Sequence, residues 1–158
     1  MNPCSINYII NTADKVYVDE IILIYKINVW RCSSSGMGPN LTITIKNANQ
    51  FVATDLKHEK YTLNVTKDIK NGWQLSADYY VGFLRGFETF SQLLVPTGAP
   101  GLYDIKNVPI YIQDQPQYLW RGLMIDTSRH YLSVDTIKHA IDGMLYLKLN
   151  VLHWHIVD

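Results

Sequence analysis

With 158 residues, 47% of them apolar and 18% charged, the chain is composed like a globular protein and unlike a disordered polyampholyte. Its 14 Lys and Arg balance 14 Asp and Glu and form no basic block, which excludes the electrostatic footprint of a nucleic-acid or anionic-membrane binder. A whole (β/α)8 barrel takes about 250 residues, so the length excludes one complete barrel of that kind.

The first sixty residues are the least informative. Residues 1–11 lack a basic start followed by an apolar run, so no signal peptide is read there. The apolar stretch Val16–Trp30 is broken by Asp19, Glu20 and Lys26 and is no membrane span. Ile21–Trp30 reads as a strand and Ser33–Pro39 as a loop. Two cysteines, Cys4 and Cys32, leave free thiols or a single long-loop bridge open. Asn40-Leu41-Thr42 and Asn64-Val65-Thr66 are glycan-acceptor tripeptides that matter only in a secretory chain.

Leu41, Ile43 and Ile45 alternate with Thr42 and Thr44, and Tyr61, Leu63 and Val65 alternate with Thr62 and Asn64. Both read as half-buried strands, for which antiparallel pairing is expected. Between Asp78 and Leu94 the apolar spacing changes to three and four, through Phe83, Phe87 and Phe90, which predicts an amphipathic helix that Pro96 ends. Arg85 and Glu88 on it read as an ion pair worth little. A turn at 98–101 and a strand through Val108, Ile110 and Ile112 toward Pro116 complete an α+β layer.

After Gln117 the pattern becomes strand, helix, strand, the length of one right-handed βαβ unit. Gly122–Ile125 is an apolar run of the kind found in parallel strands covered on both faces, ending at Asp126-Thr127-Ser128-Arg129-His130. Ser133 caps a helix from Val134, Asp135 lies in its first turn, Ile137, Ile141, Met144 and Leu145 form its inward stripe, and Lys148 suits its last turn. The strand Val151–Val157 places His153 and His155 on one face and Leu152, Trp154 and Ile156 on the other. Arg129 and Asp158 occupy equivalent strand-end positions. A guanidinium fork that can hold two neighbouring hydroxyls, beside a carboxylate, suits a polyhydroxylated substrate.

Arg121–Leu132, RGLMIDTSRHYL, followed by Asn150–Asp158, NVLHWHIVD, resembles the opening of the catalytic domain of the β-N-acetylhexosaminidases, glycoside hydrolase family twenty. Gly82–Leu93 resembles the helix of that family's amino-terminal accessory domain, and Tyr61-Thr62-Leu63 a strand before it. The resemblance spans residues 61–158, and residues 1–60 match poorly. It implies an α+β accessory domain at 1–116 and, at 117–158, the first β-α-β unit of a (β/α)8 barrel that is incomplete in these residues.

The resemblance further implies removal of terminal N-acetylglucosamine or N-acetylgalactosamine from glycoconjugates with retention of configuration. The substrate's own acetamido oxygen serves as nucleophile, outside the two-carboxylate scheme of most glycosidases. An adjacent Asp-Glu pair does the proton work in that family. Here the sole such dipeptide is Asp19-Glu20, too far upstream to take the role, so no catalytic residue is assigned and the chain is expected to be an inactive, truncated one. Arg129 matches the arginine that holds ring hydroxyls of the terminal sugar. Asp158 matches an aspartate that supports the site through a histidine supplied later.

Arg121 and Asp126 are assigned to backbone or cross-strand partners, Trp154 to the core, and His153, His155, His130 and Ser128 to packing of the barrel interior. No metal or organic cofactor is implied. The partners implied are terminal amino sugars, with a dimer of the complete protein open, and the location is lysosomal or secreted. Two other readings remain: a non-catalytic glycan-binding or interaction remnant, and a metal site built on His153 and His155.

Overall fold

The computed structural model describes residues 8–10 (backbone only), 41–47, 57–68, 72–98 and 103–158. The chain divides into two compact units, Met1–Gln115 and Pro116–Asp158. The Ile21–Trp30 strand, the Ser33–Pro39 loop, Asp19-Glu20 and the Cys4–Cys32 pair lie outside the described residues.

Among the described residues, the first unit is a five-stranded sheet carrying one helix. Its strands β1 (Tyr8–Ile10), β2 (Leu41–Asn47), β3 (Tyr61–Val65), β4 (Trp73–Tyr79) and β7 (Ile110–Asp114) lie in the order β1-β2-β4-β3-β7. Helix α1 (Tyr80–Gln92) follows β4 directly, and β5 (Leu94–Pro96) pairs antiparallel with β6 (Tyr103–Ile105). The helix is therefore two residues shorter at each end than its apolar period suggests, and Pro96 closes a short strand and not the helix. The fourth strand, β4, goes unread in the sequence although Leu75 and Ala77 point inward, alternating with Gln74, Ser76 and Asp78.

Leu41, Ile43 and Ile45 of β2 and Tyr61, Leu63 and Val65 of β3 are buried, as their alternation requires. The pairing of β2 is nevertheless parallel, to β1 and to β4 alike, whereas β3 is antiparallel to β4 and β7. Alternation reports that one face of a strand is buried and the other is not; it carries no direction.

Helix α1 covers the buried face with Phe83, Phe87 and Phe90, none more than 1% exposed. Successive rings lie 5.6 and 6.2 Å apart, and Trp73 meets Phe90 edge-on at 5.6 Å. Burial of each such ring stabilises the layer by roughly 1.5–3 kcal/mol. Close approach is possible because Gly82 and Gly86 face the sheet. A Cβ at Gly86 would lie 2.5 Å from Leu75 Cδ1 and 2.8 Å from Tyr61 Cδ2, and one at Gly82 would land on the Lys60 carbonyl oxygen.

Polar contacts then fix the helix on the sheet. The Tyr61 hydroxyl donates to Asp114 Oδ2 at 2.8 Å and lies 2.6 Å from Thr89 Oγ1, joining β3, β7 and α1. Arg85 pairs with Glu59, not Glu88: its Nε donates to Oε2 at 3.0 Å and Nη2 to Oε1 at 3.4 Å, with Glu59 itself 1% exposed. Glu88 is equally buried and accepts from Gln92 Nε2 at 2.8 Å. The expected exposed Arg85–Glu88 pair is thus replaced by a buried fork to the loop before β3, whose disruption would strand a charge in the core.

The second unit holds β8 (Gly122–Asp126), α2 (Val134–Tyr146) and β9 (Val151–His155), with β8 and β9 parallel. Ser133 caps α2 by accepting from Thr136 N at 3.2 Å, and Asp135 lies in the first turn. Ile137 and Met144 are buried, but Ile141 and Leu145 of the expected stripe are exposed. Lys148 lies beyond the helix at φ 55, where Lys148 N donates to Leu145 O and Leu149 N to Met144 O. It closes a Schellman-type end and does not sit in the last turn. Of the apolar strand β8 only Ile125 is buried, and Met124 is 59% exposed.

Two glycines give opposite expectations. Gly82→Ala gains about 1 kcal/mol of helix propensity but must displace the Lys60 backbone, for a net loss of roughly 1–3 kcal/mol. A Cβ at Gly143, in α2, meets nothing within 4 Å, so Gly143→Ala should stabilise by about 0.5–1 kcal/mol. Amide exchange in α1 and α2 reads each effect separately; an unchanged α1 in Gly82→Ala would show that the helix can shift freely on the sheet.

Candidate functional site

Register builds this site. Parallel pairing of β8 and β9 sets Asp126 opposite His155 at the carboxyl ends of both strands, with Met124 opposite His153 on the same face. At the other end Arg121 locks that register. Its Nε donates to Lys148 O at 3.0 Å and its Nη1 to Tyr118 O at 2.6 Å, while its own carbonyl accepts from Asn150 N at 3.0 Å. Asn150 reciprocates, taking Arg121 N on Oδ1 and donating Nδ2 to Leu119 O. Arg121 thus serves backbone partners, as its place at the start of β8 suggests.

Beyond β8 the chain turns on Asp126, whose Oδ1 accepts from Ser128 N at 3.0 Å and Arg129 N at 3.1 Å. Thr127 N extends the ladder to His155 O, and Thr127 Oγ1 accepts from Trp154 Nε1 at 2.9 Å. Trp154, 41% exposed in these residues, anchors the turn through this bond. His130 and His153 are likewise exposed in these residues.

The turn delivers Arg129 to the end of β9. Its Nη1 lies 2.8 Å from Asp158 Oδ1, 2.9 Å from His155 Nδ1 and 3.4 Å from Asp126 Oδ2. His155 Nε2 is 3.2 Å from Asp158 Oδ1, and its Nδ1 is 3.5 Å from Asp126 Oδ1. The His155 ring thus lies between the Arg129 guanidinium and both carboxylates. All four groups are reachable: the side chains of Arg129 and Asp158 are 55% and 67% exposed. Their pairing therefore contributes little stability. Arg129 Nε and Nη2 have no partner among the described residues, so one edge of the guanidinium is spent on holding its place and the other is available.

Arg129 and Asp158, singled out from the sequence, are thus in direct contact. His155 and Asp126, read there as packing and backbone groups, complete the cluster. The signal that could have found them is the strand register, which pairs 126 with 155. Among the described residues no three His, Cys, Asp or Glu side chains are grouped to hold a metal ion, and no helix is long and apolar enough to cross a membrane.

Residues 118–158, which contain the whole cluster, match glycosyl hydrolase family 20, catalytic domain, and residues 31–93 match a domain described as beta-acetyl hexosaminidase like. The chain belongs to glycoside hydrolase family 20. Among relatives of this family, it is 50% identical to beta-hexosaminidase 1 of Arabidopsis thaliana over 104 residues, 63% of this chain and 19% of the relative. It is 40% identical to beta-hexosaminidase subunit B1 of Dictyostelium discoideum over 127 residues, 80% of this chain and 22% of the relative. The family 20 exo-β-N-acetylglucosaminidase of Vibrio harveyi superposes on 96% of the chain with a TM-score of 0.66 and 27% identity, over 22% of its own length. The chain spans about a fifth of the length of the curated relatives it matches.

The Asp126 carboxyl carries a measurable signature of this arrangement. Desolvation raises it, but the Arg129 backbone N–H, the Arg129 guanidinium and the Ser128 N–H together hold it below its ordinary value of 3.8. A group depressed in the folded state stabilises above its unfolded pKa and loses that contribution as pH falls through the folded one. Carboxyl NMR should therefore place the Asp126 midpoint below 3.8, with the 126–129 turn ordered at neutral pH and loosening in acid. Arg129→Ala should move that midpoint upward. A midpoint indifferent to Arg129 would mean that the guanidinium is not seated as described.

Proposed function

We propose that these residues belong to a retaining β-N-acetylhexosaminidase, which removes terminal N-acetylglucosamine or N-acetylgalactosamine from glycoconjugates with the substrate's acetamido oxygen as nucleophile. Residues 1–116 form the accessory α+β domain, and 117–158 the opening strand–helix–strand of the catalytic (β/α)8 barrel. In such barrels ligands meet the carboxyl ends of the strands, where Arg129 and Asp158 lie. The observation that carries this reading is the half-engaged guanidinium of Arg129: Nη1 is held by Asp158 and His155, and the Nε–Nη2 edge is open to two neighbouring hydroxyls. Asp158 steadies Arg129 and the His155 ring together.

Asp126 and Asp158 accept from Arg129, and neither is assigned the protonation of a leaving oxygen. The proton work belongs to an Asp-Glu pair, and in this sequence that dipeptide occurs at Asp19-Glu20 alone. The 158 residues by themselves are therefore expected to hydrolyse no aryl N-acetylglucosaminide above buffer. Turnover that saturates with substrate and survives repurification would overturn that expectation. A lysosomal or secreted location accompanies the proposal, with a dimer of the complete protein left open.

The decisive comparison is made in a catalytically complete barrel containing these residues, with Arg129→Lys set against Arg121→Lys. Charge is constant, so geometry is tested. Lysine at 129 forfeits one charge-assisted hydrogen bond and the fork's fixed angle, worth roughly 1.5–3 kcal/mol, or about ten- to hundredfold in kcat/KM. Lysine at 121 should lower the melting temperature and leave kcat/KM nearly intact. Equal losses of kcat/KM at both positions, with melting temperatures unchanged, would assign the sugar contact to the wrong arginine.

A further inference from the structure

The face of the sheet opposite α1 carries an acceptor tripeptide in a specific setting. Val65 is fully buried, so Asn64 projects from the other side of β3, half-exposed. There it sits between Gln74 of β4 and Tyr111 of β7, its direct cross-strand partners. Neither the Asn64 carboxamide nor the Tyr111 side chain has a partner among the described residues. Tyr111 is 66% exposed, although Ile110 and Ile112 on either side of it pack against the core. An aromatic ring left this open, directly beside an unengaged asparagine of an Asn-X-Thr tripeptide, has no role in the packing of the layer.

We propose that Asn64 is an N-glycosylation site whose first N-acetylglucosamine lies on the exposed ring of Tyr111. Directly paired residues on one sheet face have Cβ atoms about 4.5–5.5 Å apart. A pyranose attached to Asn64 Nδ2 therefore reaches the Tyr111 ring with its C–H face, covering apolar surface that is otherwise wet. The donor is a lipid-diphosphate-linked oligosaccharide. Asn64 Nδ2 forms a bond to C1 of its first sugar, the bond from C1 to the phosphate oxygen breaks, the lipid diphosphate leaves with the electron pair, and the amide proton passes to a base of the transferase. Transfer precedes folding, because in the folded chain the Thr66 hydroxyl is already bonded to the carbonyls of Asp68 and Gly72 and Val65 is enclosed.

The site rests on the secretory route that accompanies the proposed function, and the test removes that dependence by supplying a leader. The 158-residue chain is secreted from a eukaryotic host and the peptide containing Asn64 is weighed before and after peptide-N-glycosidase. Asn64→Gln should abolish the glycan there and Thr66→Ser should keep it, while Asn40→Gln isolates the other acceptor. Removing the Asn64 glycan should lower Tm by about 2–4 °C, and in Tyr111→Ser that difference should vanish while occupancy remains. An unmodified Asn64 in the secreted chain overturns the site, and an undiminished Tm difference in Tyr111→Ser overturns the stacking. Neither result touches the hydrolase reading, which stands or falls at Arg129.

Discussion

The second unit depends on one constraint, the register in which β8 and β9 run side by side. A slip by one residue would turn every side chain of one strand to the other face, separating Asp126 from His155 and taking Arg129 away from Asp158. The braces that prevent a slip lie at the far end from the cluster, where Arg121 and Asn150 exchange backbone and side-chain hydrogen bonds across the start of both strands. The chemistry at the strand ends is thus positioned by groups that never approach it. For this reason the two arginines, Arg121 and Arg129, have different physical tasks although both sit beside the same strand.

The first unit shows what periodicity does and does not encode. Burial was legible: each residue of β2 and β3 expected to face inward does so, and Phe83, Phe87 and Phe90 lie on the buried side of α1. Direction was not, because a strand with one covered face alternates whether its neighbours run with it or against it. Strand β4 escaped notice because it runs into α1 without a turn, so the inward Ala77 is followed at once by the buried Tyr80 of the helix. Arg85 was matched to Glu88 because a helix surface makes residues three apart neighbours. The true partner, Glu59, comes from a loop distant in sequence, and no local rule identifies it.

The cluster itself was half legible. Arg129 and Asp158 follow from their equivalent places at two strand ends and from the family's motifs. His155 and Asp126 join them through contacts that need three-dimensional placement: a ring turned so that one nitrogen meets the guanidinium and the other the carboxylate, and a turn wound on a single Asp126 oxygen. Exposed polar residues near a strand end carry no sequence signal that distinguishes a packed histidine from one that completes a charge network.

The charge balance of that network constrains its ligand. One guanidinium, that of Arg129, faces two carboxylates, Asp126 and Asp158. An anionic ligand approaching the open Nε–Nη2 edge of Arg129 would gain the guanidinium but meet both aspartates within a few ångströms, and their repulsion offsets most of the attraction. A neutral polyhydroxylated ligand meets no such opposition, since its hydroxyls donate to the aspartates as readily as they accept from the arginine. The aspartates also keep the guanidinium from rotating, so that its free edge presents two donors at a fixed angle and loses little freedom when a ligand arrives. The proposed preference for uncharged over acidic sugars rests on the same two carboxylates that hold Arg129 in place.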